Sequence, residues 1–250
     1  MRVVLGALWM IATASLAAPA PLRFSVSDSW AMPLMQVEDD RPVQGILYDL
    51  LVSLATQVGQ PAEFHVLARA RISTAMEHGD IDVRCYISQA WINNLSSDYI
   101  WSIPLMMQRN VLVSTHAQPV QVSRLTPQPI GTVLNYRYTS LDPLFASNKL
   151  TRDEARSEEQ VLHKLVAGRF QYAVSNEWIV DRFNQRLPIG HRLHKVAVID
   201  EESLGCIVRN DPNIPAQRIL RTLLKMKMSG EIDDIIKLYT GQNAANIPSP

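Results

Sequence analysis

The residues of this 250-residue chain whose chemistry could be put to use fall at the ends of apolar runs. Trp30 follows LRFSVSDS, Tyr86 and Ser88 close VRCYIS, and Trp91 and Ser102 bracket the next polar stretch. Tyr136, Arg137 and Tyr138 follow GTVLN, and Asn176 and Glu177 follow YAVS. Aromatic faces offer stacking platforms, hydroxyls and an amide offer hydrogen bonds, and Arg137 offers charge to an anion where a strand gives way to a helix. Such a set suits holding a small solute. Signs of catalysis are few: the chain contains no G-x-S-x-G, no H-E-x-x-H, no P-loop and no Gly-rich dinucleotide turn. Asp39-Asp40 and Glu201-Glu202 are adjacent carboxylates in turn-like stretches, read as solvated charge. No catalytic residue is assigned and no cofactor is expected. No metal is expected either, because the 6 His show no ligand spacing with one another or with the 2 Cys.

Each candidate has a plainer alternative. Trp30 and Tyr86 would serve equally as core, Arg137 as a solvated loop charge, and Trp91, Tyr99 and Trp101 as packing under a long loop. Arg84, inside the apolar run VRCYI, is expected either to pair with an acid in a crevice or to face solvent.

Composition narrows the classes. Lys plus Arg, 24, equals Asp plus Glu, 24, and no basic stripe with interleaved aromatics occurs, so nucleic acid is not an expected partner. A hydrophobic fraction of 47% supports a folded core. Residues 1–18 place Arg2 before an apolar run and end in small residues, the layout of a cleavable signal peptide. Pro19 and Pro21 cut that run short of a membrane span. The mature chain is therefore expected in a periplasm. Cys85 and Cys206 sit in apolar runs that suit buried thiols as well as a bridge.

The elements that must position these residues can be read in order. Leu22, Phe24 and Val26 alternate as a strand, Gln36 to Pro42 is a hairpin, and Ile46, Leu47, Leu50, Leu51 and Leu54 make a helix ending near Gly59. Strand Glu63 to Leu67, helix Ser73 to Glu77 and strand Ile81 to Ile87 follow, an order that implies parallel pairing. Met107 to Ser114 leads away as a strand. A proline-bearing connection with Pro119, Pro127 and Pro129 opens a second unit of the same kind: strand Ile130 to Leu134, a helix from Thr139 capped by Thr139 or Ser140, helix Glu158 to Val166, strand Tyr172 to Val174, helix Glu177 to Phe183 and strand His194 to Ile199. Leu204 to Val208 returns as a strand, and two helices, Ala216 to Met228 and Ile232 to Tyr239, close the fold. The expectation is an α/β clam shell of two lobes: 22–108 with 203–241, and 109–202. Each lobe is a mostly parallel sheet flanked by helices, two hinge strands join them, and 242–250 is a flexible tail.

Gly45-Ile46 with Asp49-Leu50, Glu77-His78-Gly79-Asp80-Ile81-Asp82-Val83, Ser102-Ile103-Pro104, Ala167-Gly168-Arg169 and Ser229-Gly230-Glu231-Ile232 occur in that order. Together they resemble the family 3 extracellular solute-binding proteins, the periplasmic receptors of polar amino acid ABC transporters, from Leu22 to about Gly241. The segments RARISTAMEHGDIDV and GTVLNYRY resemble a branch whose members often lack a dedicated transporter, with Asn135 where that branch commonly has Gly; Asn tolerates the left-handed backbone. The resemblance implies a type II two-lobe fold and a monomer that binds a small-molecule ligand in the periplasm. It also implies an inner-membrane ABC permease or a sensor as partner. The family usually sets an Arg after the third strand for the ligand carboxylate. Asn93 or Asn94 stands there, and Ser175 or Asn176, beside Glu177, stands at the place of the acid for the ammonium. The expected ligand is accordingly a small polar solute, amino-acid-like or other. Some relatives are cyclohexadienyl dehydratases; on that alternative Glu177 would be the acid.

Overall fold

The structure, a computed structural model, describes residues 19–92 and 98–241. Residues 1–18 and 242–250, expected to be a signal peptide and a flexible tail, and Asn93 and Asn94 lie outside the described residues.

The chain opens with β1 (Leu22–Ser27) and the hairpin β2 (Gln36–Glu38) and β3 (Arg41–Gln44), followed by α1 (Ile46–Val58), β4 (Ala62–Leu67), α2 (Arg69–Glu77) and β5 (Val83–Ile87). β6 (Tyr99–Trp101) and β7 (Met106–Ser114) lead to β8 (Gln128–Val133), α3 (Asp142–Ala146), β9 (Leu150–Ala155), α4 (Glu158–Val166), β10 (Tyr172–Asn176) and α5 (Glu177–Asn184). The return runs through β11 (His194–Arg209) to α6 (Ala216–Met228) and α7 (Glu231–Thr240).

The strands pair in the order β4-β1-β5-β11-β7-β10-β8-β9, with β6 also on β11. β1 is parallel to β4 and β5, and β8 is parallel to β9 and β10. Between these parallel groups run β7 and β11, antiparallel to each other from His194–Ser114 to Leu204–Met106. The last part of β11 leaves β7 and pairs with β5. Two units thus share two connecting strands, the two-lobe α/β architecture expected.

The first unit is built on α1, whose Ile46, Leu47, Leu50, Leu51, Leu54 and Val58 are all buried, each large side chain contributing roughly 1.5–3 kcal/mol. Both α6 and α7 pack on α1. Gly45, at the entrance to α1, has φ 128°, and a β-carbon there would stand 2.6 Å from the Leu34 carbonyl oxygen. Asp49 accepts a hydrogen bond of 2.8 Å from the Tyr239 hydroxyl, tying the start of α1 to α7. Asp82 lies at the heart of the Gly79-Asp80-Ile81-Asp82 phrase. It accepts from Arg23 (Nη2 2.6 Å, Nε 3.0 Å, backbone N–H 3.0 Å) and from Arg209 Nη2 at 3.1 Å, stitching the starts of β1 and β5 to the end of β11.

Several expectations need correction. β11 is one 16-residue strand rather than two: Glu201 and Glu202 lie within it opposite Arg109 and Gln108, and Arg109 neutralises Glu201. These carboxylates are therefore not in a turn. The helix expected from Thr139 begins only at Asp142, with Pro143 in its first turn. The Tyr138 hydroxyl accepts from the Val133 N–H at 3.0 Å and holds the preceding residues as a turn. Consequently Tyr136 to Tyr138 are not at a helix N-terminus. Helix α2 starts earlier than Ser73, at Arg69, and the polar edge strand β9 has no counterpart in the sequence reading. Of the two states open to the cysteines the structure shows the bridge, Cys85–Cys206, between β5 and β11.

Candidate functional site

A cavity opens where the two units face each other, lined by Trp30, Arg69, Tyr86 and Trp91 on one side and Tyr136, Arg137, Tyr138 and Glu158 on the other, with Gln108 and Asn110 of β7 at its back. The envelope of this narrow cavity, counting its mouth and the solvent space there, is about 400 Å³. The elements explain the placement. Trp30 and Tyr86 follow or end strands of the first sheet, Arg69 begins α2, Tyr136 follows β8 and Glu158 begins α4.

Contacts cross the cavity from unit to unit. The hydroxyls of Ser29 and Tyr136 are 3.1 Å apart, Asn176 Nδ2 donates to the Tyr86 hydroxyl at 2.8 Å, and the Glu158 N–H donates to the Ser29 carbonyl at 3.3 Å. Trp30 meets Tyr86 edge to face, ring centres 5.8 Å apart. The Arg69 guanidinium sits 5.5 Å from the Tyr136 ring centre and 6.0 Å from that of Trp91, a cation between two aromatic faces.

Two backbone positions are unusual. Asn135 has φ 61°, the left-handed turn its residue type tolerates. Tyr86 also has φ 61°, which for a bulky residue costs of order 1–3 kcal/mol and persists only where the surroundings impose it. Here the neighbouring bridge at Cys85 and the Asn176 hydrogen bond do so.

Electrostatically the lining is governed by burial. Burial raises the phenols of Tyr86, Tyr136 and Tyr138, so all three are neutral hydroxyls at physiological pH. Burial also pushes the Glu158 carboxyl up to about 8. Burial, and secondly the charge of Arg69, bring Arg84 down to about 9.

The structure brings Trp30, Tyr86, Trp91, Tyr136, Arg137 and Tyr138 together on the cavity, as their positions at strand ends imply. Asn176 stands behind it, capping α5 through the Trp178 N–H and reaching the site through Tyr86. Ser88 and Ser102 line a separate, more open depression. There Ser88 donates to Glu202 at 2.7 Å, and Ser102 receives the Cys206 N–H at 2.9 Å. Glu177 lies in an ion cluster with Arg109 and Lys195, away from the cavity. Arg69, Gln108, Asn110 and Glu158 are not evident from the sequence. Arg69 and Glu158 are first residues of helices and look like surface charges, while the Gln and Asn of MQRNVLVS interrupt an otherwise apolar strand, which is the one available signal.

No protein-family model and no curated protein matches the chain. Solved structures match its fold. An ancestral arginine-binding protein bound to arginine shares 17% identity at a TM-score of 0.71, covering 88% of this chain and 98% of that one. The arginine-, lysine- and histidine-binding protein ArtJ of Geobacillus stearothermophilus shares 15% at a TM-score of 0.69, covering 89% and 96%. A histidine kinase sensor domain with similarity to periplasmic binding proteins shares 19% at a TM-score of 0.71, covering 88% and 96%. The chain therefore has the two-lobe fold of these binding proteins over nearly the whole of its described length.

Proposed function

We propose that the protein is a periplasmic solute-binding protein that closes its two lobes, 22–108 with 203–241 and 109–202, on a small polar solute. The reading rests on one observation: the cavity takes its walls from both units, so a solute held there joins them. Stacking comes from Trp30, Tyr136 and Tyr138, and orientation from Arg69, Arg137, Gln108 and Asn110. Tyr86 and Asn176 hold the wall. The fold of the neighbouring structures, which bind amino acids or act as a sensor domain, supports uptake through an ABC permease or sensing at the membrane. A bridged Cys85–Cys206 pair fits an oxidising compartment, and residues 1–18 would direct export. Among the described residues no helix is long and apolar enough to cross a membrane. Calorimetry against a panel of small metabolites should yield a binder, with small-angle scattering showing compaction on saturation. Turnover without any such binder would refute the reading.

Glu158 supports a second reading. A buried carboxyl with its pKa near 8, inside an aromatic pocket, has the character of a general acid. An enzyme on this fold, cyclohexadienyl dehydratase-like, would use Glu158 rather than Glu177, whose carboxylate is engaged by Arg109 and Lys195. Incubation with prephenate or arogenate, followed by assay for an aromatic product abolished in Glu158→Gln, separates the two readings.

A further inference from the structure

The sequence offers two fates for Arg84, an acid in a crevice or solvent, and the structure gives it neither. Arg84 is buried on β5 against α2, with Nη1 3.9 Å from the Met76 sulfur. Among the described residues neither Arg84 nor Arg69 forms an ion pair; Arg69 has two aromatic rings for company, and its charge acts on Arg84 as a repulsion. Two neighbouring guanidiniums without a carboxylate are destabilising in a poorly solvated place. Arg69 lines the cavity, and Arg84 is buried off its lining.

Elsewhere the lining carries unmet hydrogen-bonding groups. Gln108 Oε1 and Glu158 Oε2, on residues more than nine-tenths buried, have no hydrogen-bond partner. Both residues line the cavity, and a buried polar atom left unpaired is destabilising. The cavity is thus a mould with cationic charge at one place and unpaired polar atoms at another.

We propose that the solute is a small organic anion that sets its acidic group against Arg69, with the buried charge of the neighbouring Arg84 adding to the attraction, and its own hydrogen-bonding groups against Gln108 and Glu158. This rests on the solute-binding reading above and names its ligand class. Net charge selects: with two arginines uncompensated and Glu158 largely protonated at neutral pH, a net anion gains more here than a zwitterion, a neutral amide or a cation. The aromatic walls accept a flat apolar body beside the acid.

The test is calorimetry with four probes that share a phenyl body and differ in charge: mandelate, mandelamide, phenylglycine and benzylamine. Mandelate should bind about tenfold or more tightly than mandelamide, the worth of a charge-assisted hydrogen bond, and Arg69→Gln should remove that preference. Equal or tighter binding of mandelamide, phenylglycine or benzylamine would overturn the anion assignment and leave the solute-binding reading standing. Absence of binding by any probe, together with no compaction in scattering, would remove both. A second variant needs no ligand. Arg84→Met replaces a buried cation that forms no ion pair among the described residues by an apolar side chain of similar length, and should raise the urea midpoint of the ligand-free protein. A lowered midpoint would show that Arg84 serves the fold and overturn its contribution to the charge of the site.

Discussion

A carboxyl group buried away from water keeps its proton to higher pH than an exposed one, and Glu158, on the cavity lining with Tyr86 and Tyr136, is so placed. The sign follows from linkage. The folded carboxyl titrates near 8 against 4.5 for its ordinary value, so between these limits the folded state binds the extra proton and stability falls as pH rises. Below about 4.5 the contribution is fully present, and above about 8 it is lost, at no more than about 1.4 kcal/mol per pH unit. Unfolding midpoints in urea, measured from pH 5 to pH 8.5, should decline for the native chain. Glu158→Gln should flatten that decline; an unchanged slope would assign it to other groups. Tyr86 offers an independent test. Replacing it by Phe leaves the buried Asn176 amide without its acceptor, which should cost about 1–3 kcal/mol in the same assay. Trp30 and the Tyr136 to Tyr138 loop are visible in the sequence because aromatics after alternating strands mark sheet edges. Glu158 is not, since its burial depends on β1 and β8 coming together across the molecule.

The elements divide along a similar line. Helix α1 and the strands β1, β5 and β10 are legible because each buries one face or both, and burial marks the sequence with apolar residues. Strand β9, LTRDEA, lies at the sheet edge with much of its surface exposed, so nothing constrains its composition. Strand β11 hides its continuity for an electrostatic reason. Asp200, Glu201 and Glu202 read as a break, but Asn110, Arg109 and Ser88 supply their partners. Asp82 makes the strongest element-level prediction, as it joins β1, β5 and β11 through Arg23 and Arg209. Asp82→Asn should destabilise the protein by about 2–3 kcal/mol. That is less than the ~3–5 kcal/mol expected when the orphaned partner is fully buried, because both arginines reach solvent. A midpoint within experimental error of the native chain would show that these arginines find water as good a partner.

At the scale of the whole molecule, the connections between the units set what can move. β7 and β11 run antiparallel from one unit to the other, and a pair of strands bends more readily than a packed interface shears. Ser29 with Tyr136, Tyr86 with Asn176 and the Ser29 carbonyl with the Glu158 N–H are hydrogen bonds across the cavity that water can replace on opening, each contributing about 1 kcal/mol net. The Arg69 to Tyr136 contact adds a similar amount. Closed and open forms should therefore differ by only a few kcal/mol, within the reach of a micromolar solute to shift. Tyr136→Phe removes one of those bonds while keeping the aromatic wall. It should enlarge the radius of gyration of the ligand-free protein in scattering, leave that of the saturated protein unchanged, and weaken binding about fivefold, because the solute must supply the closing energy that the lost hydroxyl gave. The same radius for native chain and variant, free and saturated, would mean that the units are fixed together and that solute reaches the cavity by side-chain motion at its mouth.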